Sequence, residues 1–103
     1  MHKDLNLTEP LISEIKQSLN IIINCAATID MKVKVDMAVR TNVTGPIKLL
    51  RLAQSSPNAE AFVQVSTCYV NCDRTGYIEE TIYQNKLKNW TKEYERVTRM
   101  SKH

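Results

Sequence analysis

Two changes of hydrophobic period between residues 21 and 66 constrain this chain more than any other feature. Ile21-Ile22-Ile23-Asn24-Cys25 opens with three consecutive β-branched residues. Their stiff χ1 angles suit a pleated surface better than a helix. The run is apolar on both sides, as in a parallel strand covered by helices. From Met31 the period becomes helical: Met31, Val35, Ala38, Asn42, Gly45, Leu49 and Leu52 recur at alternating steps of four and three, a stripe that faces a core. Ser55-Ser56-Pro57-Asn58 reads as a turn, and strand character returns over Ala61–Ser66 (AFVQVS). Strand, long helix and strand make a βαβ unit with parallel strands and a right-handed crossover. The predicted class is α/β, a partial doubly wound parallel sheet in which one βαβ unit carries flanking helices.

Around this unit the pattern is simpler. Thr8 is placed to cap a first helix, Pro10 is tolerated in its first turn, and Leu11, Ile12, Ile15 and Leu19 follow at helical spacing until Asn20. Asp30 is the expected cap of the long helix. Cys68 to Tyr83 reads as irregular loop containing Gly76, and Leu87, Trp90, Tyr94 and Val97 suggest a last amphipathic helix. A chain of 103 residues suffices for one domain and is too short for two.

Charge and cysteines exclude several classes. The net charge of +3 is concentrated after Gln84, where Lys86, Lys88, Lys92, Arg96, Arg99 and Lys102 face only Glu93 and Glu95. Such a tail is either a solvated helix face or a surface for phosphate, membrane or RNA. No base-stacking aromatic pattern accompanies it, so nucleic acid is not expected. Cys25, Cys68 and Cys72 are odd in number, form no C-x-x-C, and the histidines sit only at His2 and His103. No metal site or disulfide framework is expected, and a reducing, intracellular compartment fits best. No apolar run approaches the ~20 residues of a membrane span, and no signal peptide is evident.

Ser66 and Thr67 are predicted at the C-terminal end of a buried parallel strand, the edge where ligands bind in open α/β sheets. They are equally readable as an ordinary polar strand end. Asn42 on an apolar stripe is either a satisfied core amide or a group turned toward a site. Two strands are too few for an open parallel sheet, so the unit is expected to need neighbours that this chain does not contain.

Ile21–Thr28 (IIINCAAT), Ala38–Gly45 (AVRTNVTG) with Lys48-Leu49-Leu50 after it, Ala61–Asn71 (AFVQVSTCYVN) and Cys72–Tyr83 (CDRTGYIEETIY) occur in an order and spacing that resemble the fatty acyl-CoA reductase family, within the extended short-chain dehydrogenase/reductases. VSTCYVNC followed shortly by IEE is the most discriminating part. The resemblance runs from about residue 4 to 83. It implies a partial NAD(P)-binding Rossmann domain over 1–83, followed by a basic helical tail over 84–103 without counterpart. It implies NADPH as cofactor and a long-chain acyl-CoA substrate reduced through the aldehyde to a fatty alcohol. In the full-length family it implies a cytoplasmic, peroxisomal or endoplasmic-reticulum-associated enzyme with peripheral membrane contact. A thioester reductase domain of a carrier-protein-dependent synthetase shares this fold and chemistry. A non-catalytic truncated product acting through its basic tail is the third reading.

Carried over residue by residue, Thr67 matches the family's hydroxyl position, with Ser66 beside it lining the nicotinamide pocket. Ala26, Ala27 and Thr28 match the loop after the fourth strand, where small side chains admit the cofactor. Asn42 matches the helix asparagine whose backbone carbonyl holds a water. Pro46, four residues on, has no N–H to give that carbonyl. Asp4 matches an acid that contacts adenine, with Lys3 in place of the usual glycine. Glycines stand only at 45 and 76, so no G-x-x-G-x-x-G phosphate cradle exists. None of Tyr69, Tyr77, Tyr83 or Tyr94 has a lysine four residues on, so the family's tyrosine–lysine proton-donor pair is missing as well. The expectation is a central fragment, inactive alone and lacking the N- and C-terminal parts of its own domain.

Overall fold

The computed structural model describes residues 5–84 and 89–100. Helix α1 (Glu9–Ser18) leads into strand β1 (Ile21–Asn24). Helix α2 (Val35–Val39) runs through a π-helical segment (Arg40–Thr44) into helix α3 (Gly45–Gln54). Strand β2 (Ala61–Gln64) and, after a long loop, helix α4 (Trp90–Arg99) complete the order. β1 and β2 pair in parallel with Ile21 opposite Ala61 and Asn24 opposite Gln64. The βαβ unit and its flanking helices are thus present, as a mixed structure around a two-stranded parallel sheet.

Asparagine amides hold both ends of that sheet. At the N-terminal edge the Asn20 carbonyl accepts from the Glu60 N–H at 2.7 Å, the Asn20 side chain donates to the Asn58 carbonyl at 3.2 Å, and the Asn58 side chain donates to the Gln17 carbonyl at 2.8 Å. At the other edge Asn24 is buried, and its amide donates to Gln64 Oε1 at 2.8 Å while its oxygen accepts from the Ala26 N–H. The Val65 N–H bonds the Asn24 carbonyl at 3.0 Å, carrying the pairing one step past β2.

Several local expectations need correction. The long helix is not uniformly α-helical. A π turn spans Arg40–Thr44, and the Gly45 N–H reaches back to the Arg40 carbonyl. Pro46 explains its position, since a proline in the following turn removes a donor and its ring crowds the preceding carbonyls, which a wider turn relieves. Asp30 does not cap this helix. Its carboxylate accepts from the Lys32 N–H at 2.9 Å in a turn, and Lys34 occupies the N-cap. Met31 lies in that turn, almost wholly exposed, rather than on the core stripe. Thr8 is the N-cap of α1, but only its carbonyl bonds the helix. β1 stops at Asn24 and β2 at Gln64, each shorter than its apolar run.

The second face of the sheet is bare. α3 packs on one side, where Ile22 and Phe62 are half-buried. Ile21, Ile23, Val63 and Val65 project from the other, 54%, 64%, 45% and 51% exposed. Ala53 is the one buried apolar residue among those described. The accessible surface is 8956 Å², against ~5,900 Å² for a compact monomer of 11.8 kDa. The radius of gyration is 16.0 Å, where a compact domain of this length has about 13 Å. Parallel strands are ordinarily covered on both faces, and among the described residues no element covers the second face.

α4 packs on α2, and the Tyr94 hydroxyl shares a 2.7 Å hydrogen bond with Thr44 Oγ1 in the π segment. Asn89 caps it, its side chain accepting from the Lys92 N–H. Its arginines are paired along the helix, Arg96 with Glu93 at 2.7 Å and Arg99 with Glu95 at 3.4 Å. Leu87 and three of the tail's lysines lie outside the described residues.

Two predictions arise from this architecture. Replacing Ile21 and Ile23 together by threonine keeps β-branching while removing apolar surface from the bare face. Soluble yield should rise and binding of a hydrophobic dye should fall, with stability changed by less than about 1 kcal/mol, as expected for exposed positions. Unaltered dye binding would show that this face is covered in solution. The second concerns α4. The Arg96 hydrogen bond holds the Glu93 carboxyl below its ordinary value, and Glu93 in turn raises Arg96. A depressed acid stabilises the folded helix above the ordinary carboxylate pKa, and that contribution is lost as pH falls through the depressed value. Helical circular dichroism from α4 should therefore decline as the pH falls below the ordinary carboxylate range, and Glu93→Gln should flatten that part of the profile.

Candidate functional site

The C-terminal edge of the sheet gathers most of the residues that sequence reasoning singles out. β1 ends in the buried Asn24, and the chain turns outward through Cys25, Ala26 and Ala27, all exposed. Methyl side chains there leave the backbone open to close approach, whereas larger ones would screen it. Thr28 turns the loop back toward the crossover helix. β2 ends beside it at Gln64, and Val65, Ser66 and Thr67 continue outward, exposed.

Asn42 joins these parts, through its side chain. The amide oxygen accepts from the Thr28 N–H at 2.9 Å, and the amide nitrogen donates to the Thr28 carbonyl at 3.0 Å. This two-point clasp satisfies both backbone groups of one residue, as a neighbouring strand would. It spans 14 residues of sequence and fixes the Ala26–Thr28 loop to the helix. The π segment containing Asn42 sets its direction. Asn42 is exposed rather than buried on the stripe, so its amide is neither a core group nor unpartnered.

Thr67 is held by a short local turn in which its Oγ1 accepts from the Tyr69 N–H at 3.2 Å. Cys72 N–H to Tyr69 carbonyl and Arg74 N–H to Asn71 carbonyl, both 3.0 Å, continue the turn. Further on, the Arg74 guanidinium lies 3.6 Å over the Tyr83 ring, and the Tyr83 hydroxyl accepts from the Glu79 N–H at 2.9 Å. The Cys68–Tyr83 segment is therefore irregular but internally pinned.

Of the sequence candidates, Ala26, Ala27, Thr28 and Asn42 are brought together, and Ser66 and Thr67 stand at the same edge. Asp4 lies outside the described residues. Asn24 and Gln64 were missed. The available signal was a polar residue ending an apolar run, since a buried amide requires a partner. No cluster of metal-binding side chains occurs among the described residues, and no described helix is long and apolar enough to cross a membrane.

The clasp can be tested directly. Asn42→Ala removes both bonds and should cost on the order of 1 kcal/mol, the low end for two exposed hydrogen bonds. It should also accelerate hydrogen exchange at the Thr28 amide. Asn42→Asp retains the acceptor and should keep that amide protected. Equal protection in the wild type and the alanine variant would place the loop's anchor elsewhere.

Comparison with known proteins identifies the family. The NAD_binding_4 family, described as male sterility protein, matches residues 1–103, including the last helix. Fatty acyl-CoA reductase 1 of Gallus gallus is 40% identical over 80 residues, covering 78% of this chain and 15% of the relative. Fatty acyl-CoA reductase 2 of Homo sapiens is 39% identical over 88 residues, 81% of this chain and 17% of the relative, and that of Mus musculus is 36% identical over 81 residues, 79% and 16%. The chain thus spans about one sixth of the length of the curated relatives it matches. No solved structure matches it. A two-stranded parallel unit with its loops gathered at one edge, matched along its whole length, belongs to the male sterility protein family of NAD-binding domains, whose curated relatives here are fatty acyl-CoA reductases.

Proposed function

We propose that this chain is the central segment of an NADPH-dependent fatty acyl-CoA reductase, contributing the fourth and fifth strands of a Rossmann-type sheet and the crossover between them. The parent reaction is reduction of a long-chain acyl-CoA thioester through the aldehyde to the alcohol. The observation that carries this reading is that Thr67, three residues past the end of β2, and the clasped Ala26–Thr28 loop after β1 both follow the C-terminal ends of one parallel pair.

The residues present fit one side of a dinucleotide. The exposed, small Ala26 and Ala27 admit a ribose or phosphate against the backbone, and Asn42 holds that backbone still. A bound nicotinamide supplies hydride. Thr67, with its oxygen already accepting from the Tyr69 N–H, can donate a hydrogen bond to a substrate carbonyl oxygen and hold that oxygen as negative charge develops. Ser66 lines the nicotinamide side, and Asp4 is assigned to adenine. The phosphate cradle and the proton donor are assigned to the rest of the parent protein, in keeping with the one-sixth span and the bare sheet face. The chain by itself is then inactive.

The test is a graft. The matched 80 residues replace their counterpart in the chicken reductase, and NADPH oxidation is followed with palmitoyl-CoA and with a palmitoyl-pantetheine carrier protein. The chimera should reduce palmitoyl-CoA, and Thr67→Ala in it should lower kcat by roughly 100-fold, the scale for losing one donor to a developing oxyanion. A soluble chimera that binds NADPH and shows no reductase activity, or a fully active Thr67→Ala variant, would overturn the assignment. Turnover of the carrier-bound substrate alone would reassign the chain to thioester reductases.

A further inference from the structure

A second cleft lies between α1 and α3, away from the loops that carry Thr28 and Thr67. Leu5, Leu7, Ile12, Ile15 and Leu52 form its apolar walls, and its volume is about 440 Å³. That falls within the roughly 300–1,000 Å³ of small-molecule sites. Among the described residues, its charged lining residues are all cationic. Lys16 comes from the last turn of α1 and Arg51 from α3, and Lys48 stands one turn before Arg51. Ser55, the remaining polar lining residue, has its hydroxyl committed to the Leu52 carbonyl at 3.0 Å. Among the described residues, no carboxylate lines the cleft.

This combination selects a ligand class. A purely apolar occupant would bury its surface against the leucines and isoleucines but would leave two cations without use. A compact hydrophilic anion would pair with the cations and leave the apolar walls wet. An alkyl chain with an anionic head satisfies both, and an arginine beside a lysine suits a carboxylate, which the guanidinium can take in bidentate fashion. We infer that the α1–α3 cleft is a binding site for a fatty acid anion, with the hydrocarbon between Ile12, Ile15 and Leu52 and the carboxylate at Lys16 and Arg51. The inference does not depend on the reductase reading, because the cleft shares no residue with the loops assigned to hydride transfer.

The experiment uses the complete 103-residue chain, with laurate, lauroyl-CoA and dodecanol titrated below their aggregation limits by equilibrium dialysis. Laurate should bind with at least tenfold higher affinity than dodecanol. The double substitution Lys16→Gln and Arg51→Gln should abolish that preference and leave dodecanol binding unchanged, while Lys92→Gln on α4 should change neither. High salt should weaken laurate and spare dodecanol. Equal affinity for laurate and dodecanol would assign the uptake to the bare sheet face and overturn the proposal. So would laurate binding that survives the double substitution, a strong preference for lauroyl-CoA, or a chain whose circular dichroism lacks the α1 and α3 helices on which the cleft depends.

Discussion

Parallel pairing of two four-residue strands is the constraint on which everything else in this molecule rests. Such a pair has few hydrogen bonds, and its strands must be joined by a crossover long enough to return the chain to the same edge. Here the pairing is reinforced at its ends. Asn20 and Asn58 close one end and Asn24 with Gln64 the other, so amide side chains reinforce a ladder of four paired residues at both ends. The buried Asn24 is the most consequential of these. An unpaired amide there would carry a desolvation cost of a few kcal/mol, so its bonds to Gln64 and Ala26 fix where the strands end and the outward loops begin.

The crossover adds the second level of order. A regular α-helix from Val35 to Gln54 would distribute its side chains at one steady angle per residue. The π turn at Arg40–Thr44 inserts a local change of phase, which presents Asn42 to Thr28 while α3 keeps its apolar side on the sheet. The same segment receives Tyr94 from α4 through Thr44. The π segment that precedes Pro46 is therefore where loop, crossover and last helix meet.

Much of this was legible in the sequence because it rests on period and on β-branching. Ile21–Ile23 and Ala61–Val63 announce strands, and Leu49 and Leu52 announce the packed side of the crossover. What was not legible depends on competition between local bonds. Asp30 resembles a cap but closes a turn onto Lys32, and Thr8 stands at the cap position with its hydroxyl unused by the helix. Pro46 points to disturbed bonding at the Asn42 carbonyl. The conspicuous interaction is instead the side-chain amide, whose partner 14 residues away no periodicity reveals. The bare sheet face was foreshadowed by an apolar run on both sides of β1 within a chain that offers only two secure strands.

The chemistry at the strand tips follows from what the side chains there can and cannot do. The hydroxyls of Ser66 and Thr67 ionise far above neutral pH, so they can orient and donate hydrogen bonds but cannot deliver a proton as an acid would. Among the described residues that gather at this edge with them, Ala26, Ala27, Thr28 and Asn42 are uncharged as well. A reaction that builds negative charge on a carbonyl oxygen can be held in such a place but needs its proton from another group. On the proposed reading, then, this segment supplies position: a strand tip that aims Thr67, and an amide clasp that keeps the neighbouring backbone still. On that reading the strand tips hold the reacting oxygen in place, and the proton comes from the protein around them.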